Sequence, residues 1–260
     1  SVFTKISDGH PRDQAGALWA YFSQGKDAKT PIGLYPNAIE LRATQRPVIY
    51  RNFLTDLSPR GIGVGYPEGI NIGWDSQRMM LVKVWKNAFM DASKHWIGRG
   101  PGAQEPLGDA VITIDHATPI ARIESGAPWP AADASQDTTR FLGYRLDREG
   151  RPVFRYSVED LVVQEALLPL DSDSSSKSFQ RSFTITGRGL VTILVAAGQI
   201  EKLESETTEP VTYEINNTYR IAAQGGAIES VRVGDREELR VTIDLGQSES
   251  TSVVSQNITW

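Results

Sequence analysis

The 260-residue chain contains no cysteine. A disulfide framework, a thiolate nucleophile, a Cys-ligated zinc or iron–sulfur site and a covalently attached c-type haem are therefore excluded on this chain. Any electron-transfer chemistry would have to sit on a partner. Histidine is scarce: His10, His95 and His116 show neither His-x-His nor His-Glu-x-x-His spacing, so no metal site is expected. Asp171 and Asp173 stand in a serine-rich run that lacks the loop glycine and terminal Glu of a calcium-binding loop, and that run reads as solvated. The 27 Lys+Arg against 32 Asp+Glu leave a net charge of −5, and no run of five basic residues occurs. Both points argue against a sequence-independent grip on nucleic-acid phosphate. No apolar run approaches the roughly 18 residues of a membrane span. The opening Ser1-Val2-Phe3-Thr4-Lys5 has no signal-peptide pattern. A start without Met suggests a processed or excised chain, compatible with export.

What is present is alternation. In the second half, apolar and polar residues alternate with period two between turn residues, the signature of half-buried strands. Phe141 to Leu146 and Pro152 to Val158 flank Asp147-Arg148-Glu149-Gly150, where the Asp caps the turn and the Gly takes positive φ. Thr212 to Ile221 forms a second hairpin around Asn216-Asn217, two residues that tolerate left-handed backbone. A third, around Gly234-Asp235, sets Leu239, Val241, Ile243 and Leu245 on a core face and Arg240, Thr242 and Asp244 on a wet one. Val162-Val163, Phe179 to Ile185 and Leu190 to Val195 add strands.

The first half is mixed. Ala15, Leu18, Trp19 and Phe22 fall at helical spacing, so Asp13 to Ser23 reads as a short amphipathic helix. Strand-like pieces follow at 38–43, 47–50, 61–66, 70–74, 78–85, 110–114 and 120–123. Asn87 to Trp96 is read as one or two helical turns after a strand, because Trp85, Ala88, Phe89, Ala92 and Trp96 fit that spacing. The fold class expected is all-β with minor α: a large two-sheet antiparallel sandwich, with a galactose-mutarotase-like super-sandwich as first choice and one or two short helices. Residues 1–260 are read as one domain, with 128–139 the only linker-like segment.

Chemistry-bearing residues concentrate between Arg46 and Asp109. Gly61-Ile62-Gly63-Val64-Gly65 lacks the following helix and the Lys-Ser/Thr of a phosphate-cradling loop, and reads instead as a glycine-rich strand under a bulky neighbour. Asp91 and His95, four apart, would share one helical face, either as an acid–base dyad or as a plain structural pair. Arg60 and Arg99 are the cations that could steady developing negative charge beside it. Trp74, Asp75, Trp85 and Trp96 are the candidate ligand-binding set, since aromatic faces stack on sugar C–H groups and fixed carboxylates read hydroxyls; a plain core explains the same residues.

Arg46 to Arg122 resembles a family of large secreted or periplasmic proteins of planctomycete-type bacteria. The resemblance rests on Tyr50-Arg51-Asn52-Phe53, on Pro59 to Asn71 (PRGIGVGYPEGIN), on Ala88 to Gly100 (AFMDASKHWIGRG) and on Pro106-Leu107-Gly108-Asp109, continuing more weakly through 141–147 and 150–156. Such modules are joined to, or encoded with, c-type cytochrome domains bearing Cys-x-x-Cys-His. The resemblance implies a periplasmic or extracellular setting and a c-type cytochrome domain or subunit as partner, with haem on that partner and no cofactor on this chain. The leading expectation is thus a non-catalytic interaction or scaffold module of an exported complex, with carbohydrate contact through the Trp74–Trp96 region. The alternative is a mutarotase-like or lyase-like carbohydrate-active enzyme using His95, Asp91 and an Arg. A third reading has His95 or His116 reaching across an interface as an axial ligand to the partner's haem iron.

Overall fold

The computed structural model describes residues 40–92, 102–114, 118–131, 138–170, 177–203 and 210–260. Among them are nineteen strands and no helix. The first half supplies β1 (Glu40–Leu41), β2 (Val48–Arg51), β3 (Gly61–Gly65), β4 (Ile70–Asp75), β5 (Met80–Lys86), β6 (Met90–Asp91), β7 (Asp109–Thr113) and β8 (Ile120–Ala121). The second supplies β9 (Thr139–Leu146), β10 (Pro152–Val158), β11 (Leu161–Leu170), β12 (Ser178–Gly187), β13 (Leu190–Gly198), β14 (Ile200–Lys202), β15 (Thr212–Ile215), β16 (Tyr219–Gln224), β17 (Ala227–Val233), β18 (Arg236–Asp244) and β19 (Ser250–Thr259). No helix among the described residues is long and apolar enough to cross a membrane.

An eight-stranded antiparallel sheet runs β14-β15-β16-β19-β12-β11-β10-β9. Period-two patterning makes it one-sided: Phe179, Phe183 and Ile185 of β12 are buried while Gln180, Ser182, Thr184 and Thr186 face outward. Turn chemistry sets its registers. Asp147 accepts from the Glu149 and Arg151 amides at 3.0 and 2.8 Å and closes the β9–β10 hairpin, where Gly150 has φ 83°. Asn216 and Asn217 both sit at φ near +50°, the two-residue turn that matches strand twist.

Against this sheet pack a five-stranded sheet, β2-β3-β4-β5-β7, and a four-stranded sheet, β17-β18-β13-β8. One continuous apolar core joins all three, drawing Ile62, Ile72 and Trp74 from the first half and Phe154, Phe183, Ile193, Val241 and Val254 from the second. Trp74 of β4 lies flat on Phe154 of β10, with centroids 4.2 Å apart and planes 2° from parallel. The Tyr66 hydroxyl donates to the Leu167 carbonyl at 2.9 Å across the same layer boundary. The arrangement is all-β and sandwich-like.

A second, smaller cluster of Leu54, Trp85, Phe89 and Met90 covers the other face of the five-stranded sheet. Glycine makes the room for it. A Cβ on Gly65 would stand 2.7 Å from the Phe89 ring, and one on Gly63 would stand 3.2 Å from the same ring, so only bare backbone admits Phe89 there. The Gly61–Gly65 run is therefore a glycine-rich strand beneath a bulky neighbour, as its sequence suggests.

Two expectations change. The helical turns read over Asn87–Trp96 are replaced, as far as Ala92, by a turn and by β6, which pairs with β1 through Glu40–Asp91 and Leu41–Met90. The Trp85 indole donates to the Ala88 and Phe89 carbonyls at 3.1 and 3.0 Å, and Asn87 takes φ 66°, so the apolar spacing closes a turn around the indole rather than a helix. The outer face of β18 is also not simply wet. Arg240 and Glu238 are fully buried there because the segment carrying Ala127 and Trp129 crosses over them. The helix read at Asp13–Ser23 lies outside the described residues.

Candidate functional site

Trp74 and Asp75 are neighbours on β4 and point to opposite faces. Trp74 enters the main core, whereas the Asp75 carboxylate accepts five hydrogen bonds: from the Ser58 amide and hydroxyl at 2.7 Å each, the Gln77 and Arg78 amides at 2.8 and 3.2 Å, and Arg78 Nε at 2.8 Å. Burial alone would raise its pKa, but these donors outweigh that effect and hold it below the ordinary aspartate value. Asp75 thus ties the β4–β5 turn to the loop before β3. Trp85 lies on the far side of the same sheet, stacked on Phe89 at 5.9 Å. With both rings covered, neither tryptophan presents a face to a sugar, and the sheet itself separates the two. Trp96 lies outside the described residues.

Of the proposed catalytic set, Asp91 and Arg60 are described; His95 and Arg99 lie outside, as do His10 and His116. Asp91 is half-buried on β6 opposite Glu40. Burial first, and then the Asp91 carboxylate, raise the pKa of the Tyr50 phenol. Arg60 is exposed in the turn before β3, and its carbonyl accepts from the Ser76 hydroxyl at 2.8 Å.

The buried charges form structural networks that the sequence reading did not single out. On the inner face of the eight-stranded sheet, Arg181 Nε donates to Glu165 at 2.7 Å and the Tyr156 hydroxyl donates to the other carboxylate oxygen at 3.1 Å. Burial, with Glu165 beside it, pushes the Tyr156 phenol well above its ordinary value. Arg240 is held between Glu238 and the Ala127 carbonyl. Lys83, almost fully buried, bonds Asp56 and Thr55 at 2.7 and 2.9 Å. Each of these charges has a protein partner of its own. Among the described residues, no three His, Asp or Glu side chains gather as metal ligands.

The groups left over lie on β9, the terminal strand of the eight-stranded sheet. Its second main-chain edge pairs with no strand among the described residues. Leu142 and Leu146 are 42% and 55% exposed beside it. Arg140, Arg145 and the adjacent Arg155 of β10 are exposed as well. The sequence shows this hairpin clearly, including its alternating arginines; its position at a sheet margin is set by long-range pairing that local pattern does not reveal.

No family model matches the chain, and no curated protein matches it. Among solved structures, a heparinase III gene product with methylated lysines superposes on 96% of this chain at 10% identity and a TM-score of 0.32. This chain spans 41% of the length of that one. So loose a superposition says nothing about activity.

Proposed function

We propose that this chain is a docking module of an exported bacterial complex and that its partner is a c-type cytochrome domain or subunit. The observation that carries the docking reading is the edge of β9 that pairs with no strand among the described residues, with Leu142 and Leu146 exposed along it. An unpaired strand edge is a template for another chain, and apolar side chains beside it gain by being covered. The sandwich behind it acts as a rigid platform, since its buried charges are bonded to one another. The cytochrome half of the proposal rests on the resemblance of 46–122 and 141–156 to cytochrome-linked modules. Because this chain has no cysteine, haem and its attachment motif belong to the partner. The setting that follows is periplasmic or extracellular.

The test is recovery of the tagged chain from the periplasmic or extracellular fraction of its source, with a visible spectrum and mass spectrometry of the eluate. A haem protein in fixed ratio is expected. A colourless chain eluting alone overturns the reading.

A further inference from the structure

The hairpin β9–β10 pairs Arg145 with Val153, Gly143 with Arg155 and Arg140 with Ser157. Phe154 and Tyr156 of β10 point into the core, so Arg155 and its cross-strand neighbours stand on the outer face. Arg140, Arg145 and Arg155 are exposed, and among the described residues none of them has an ion-pair partner. Gly143, at φ 102°, lies between the two β9 arginines, and a Cβ there would meet nothing within 4 Å. Arg140, Arg145 and Arg155 thus stand exposed on the outer face of the last hairpin of the sheet, with Arg145 and Gly143 about 7 Å apart along β9. The bulge at Leu142 sets Arg140 one residue further on. On the other face of the same strand stand Tyr144 and the exposed Leu146.

We propose that the edge of β9, which pairs with no strand among the described residues, receives an extended acidic segment of a partner protein as an added strand, with Asp or Glu at alternate positions facing Arg145 and Arg155 and apolar residues between them covering Tyr144 and Leu146. Main-chain bonds to the edge hold the segment and the arginines select its charge. Charge complementarity identifies the occupant. The chain as a whole is acidic, whereas this hairpin has more arginine than carboxylate. A second copy is disfavoured, because β9 against β9 would set guanidinium against guanidinium. The inference rests on the docking reading above and names the chemistry of the partner's contact segment.

Fluorescence anisotropy with a labelled ten-residue peptide of alternating Glu and Val tests it on the intact chain. Binding that weakens with salt is expected, together with loss of binding when the peptide amides facing β9 are N-methylated. The variant Arg140→Glu/Arg145→Glu/Arg155→Glu is expected to weaken binding about tenfold or more, through loss of the ion pairs at Arg145 and Arg155 and reversal of the local charge, with its melting temperature unchanged. Equal binding of the N-methylated peptide, equal binding of a Lys-Val peptide, or no effect of the triple charge reversal overturns the proposal. The cytochrome reading fails separately. Haem protein that co-purifies undiminished with the triple variant would remove β9 as its dock, whereas peptide binding without any haem protein would remove the cytochrome and leave the edge site standing.

Discussion

A methyl group added at Gly65 would stand 2.7 Å from Cγ of Phe89, closer than real Cβ contacts come, and the ring is boxed in by Trp85 behind it. Gly65→Ala is therefore expected to lower stability by about 1–3 kcal/mol, with Gly65→Val worse, as read from denaturant midpoints. Gly143→Ala meets no such neighbour, and only its positive φ opposes it, so its loss should be about 1 kcal/mol. Asp75 predicts a pH effect. Its folded pKa lies below the unfolded one, so its stabilisation is complete above the ordinary value of 3.8 and is lost as pH falls through the folded pKa. Asp75→Asn is expected to cost about 2 kcal/mol at neutral pH and to flatten acid unfolding below pH 4; an unchanged acid limb in urea titrations would show that other carboxylates govern it. Asp75 and Trp74 stood out from composition alone, yet one is a turn clasp and the other a core filler. Residue type identifies what a side chain can do, and its neighbours decide whether that chemistry stays free.

Among the elements, β10 and the hairpins at Asn216-Asn217 and Gly234-Asp235 fall where alternation and turn residues place them, and β3 and β4, buried on both faces, fall on the strand-like pieces at 61–66 and 70–74. β19 was not legible, although it is central, pairing with β12 on one side and β16 on the other. Its inward positions run Val254, Gln256, Ile258, so a buried amide interrupts the apolar row, and Val253 exposes an apolar side chain on the wrong face. Buried polarity hides strands from pattern reading, and the same layer holds Glu165 and Arg181. Removing one partner there leaves a charge stranded in the core. Arg181→Met is expected to cost about 3–5 kcal/mol, and Glu165→Gln/Arg181→Met, which keeps an acceptor for Tyr156, less than the single change. A double-mutant cycle in denaturant measures the coupling, and additivity would refute it. The candidate site was less legible than the fold: its arginines and leucines lie in a predicted hairpin, but only the sheet order makes that hairpin an edge.

For the whole molecule, the question raised by the linker-like composition of 128–139 has a physical answer in reach. The main core takes side chains from both sides of that segment, and Trp129, at its start, packs beside Arg240 and donates to the Thr118 carbonyl at 3.0 Å. Unfolding followed by tryptophan fluorescence, dominated by the first half, and by far-ultraviolet circular dichroism, dominated by the strand-rich second half, is expected to give superimposable transitions; two separated midpoints would make the five-stranded layer an independent unit. The position of β19 has a further consequence, in the order of synthesis. As the chain leaves the ribosome, β12 is complete at Gly187, but the strand that fills its open side begins only at Ser250. Throughout that interval the nascent eight-stranded sheet lacks the strand that joins its two halves. Closure of the eight-stranded sheet is therefore a late, long-range event, slow by topology.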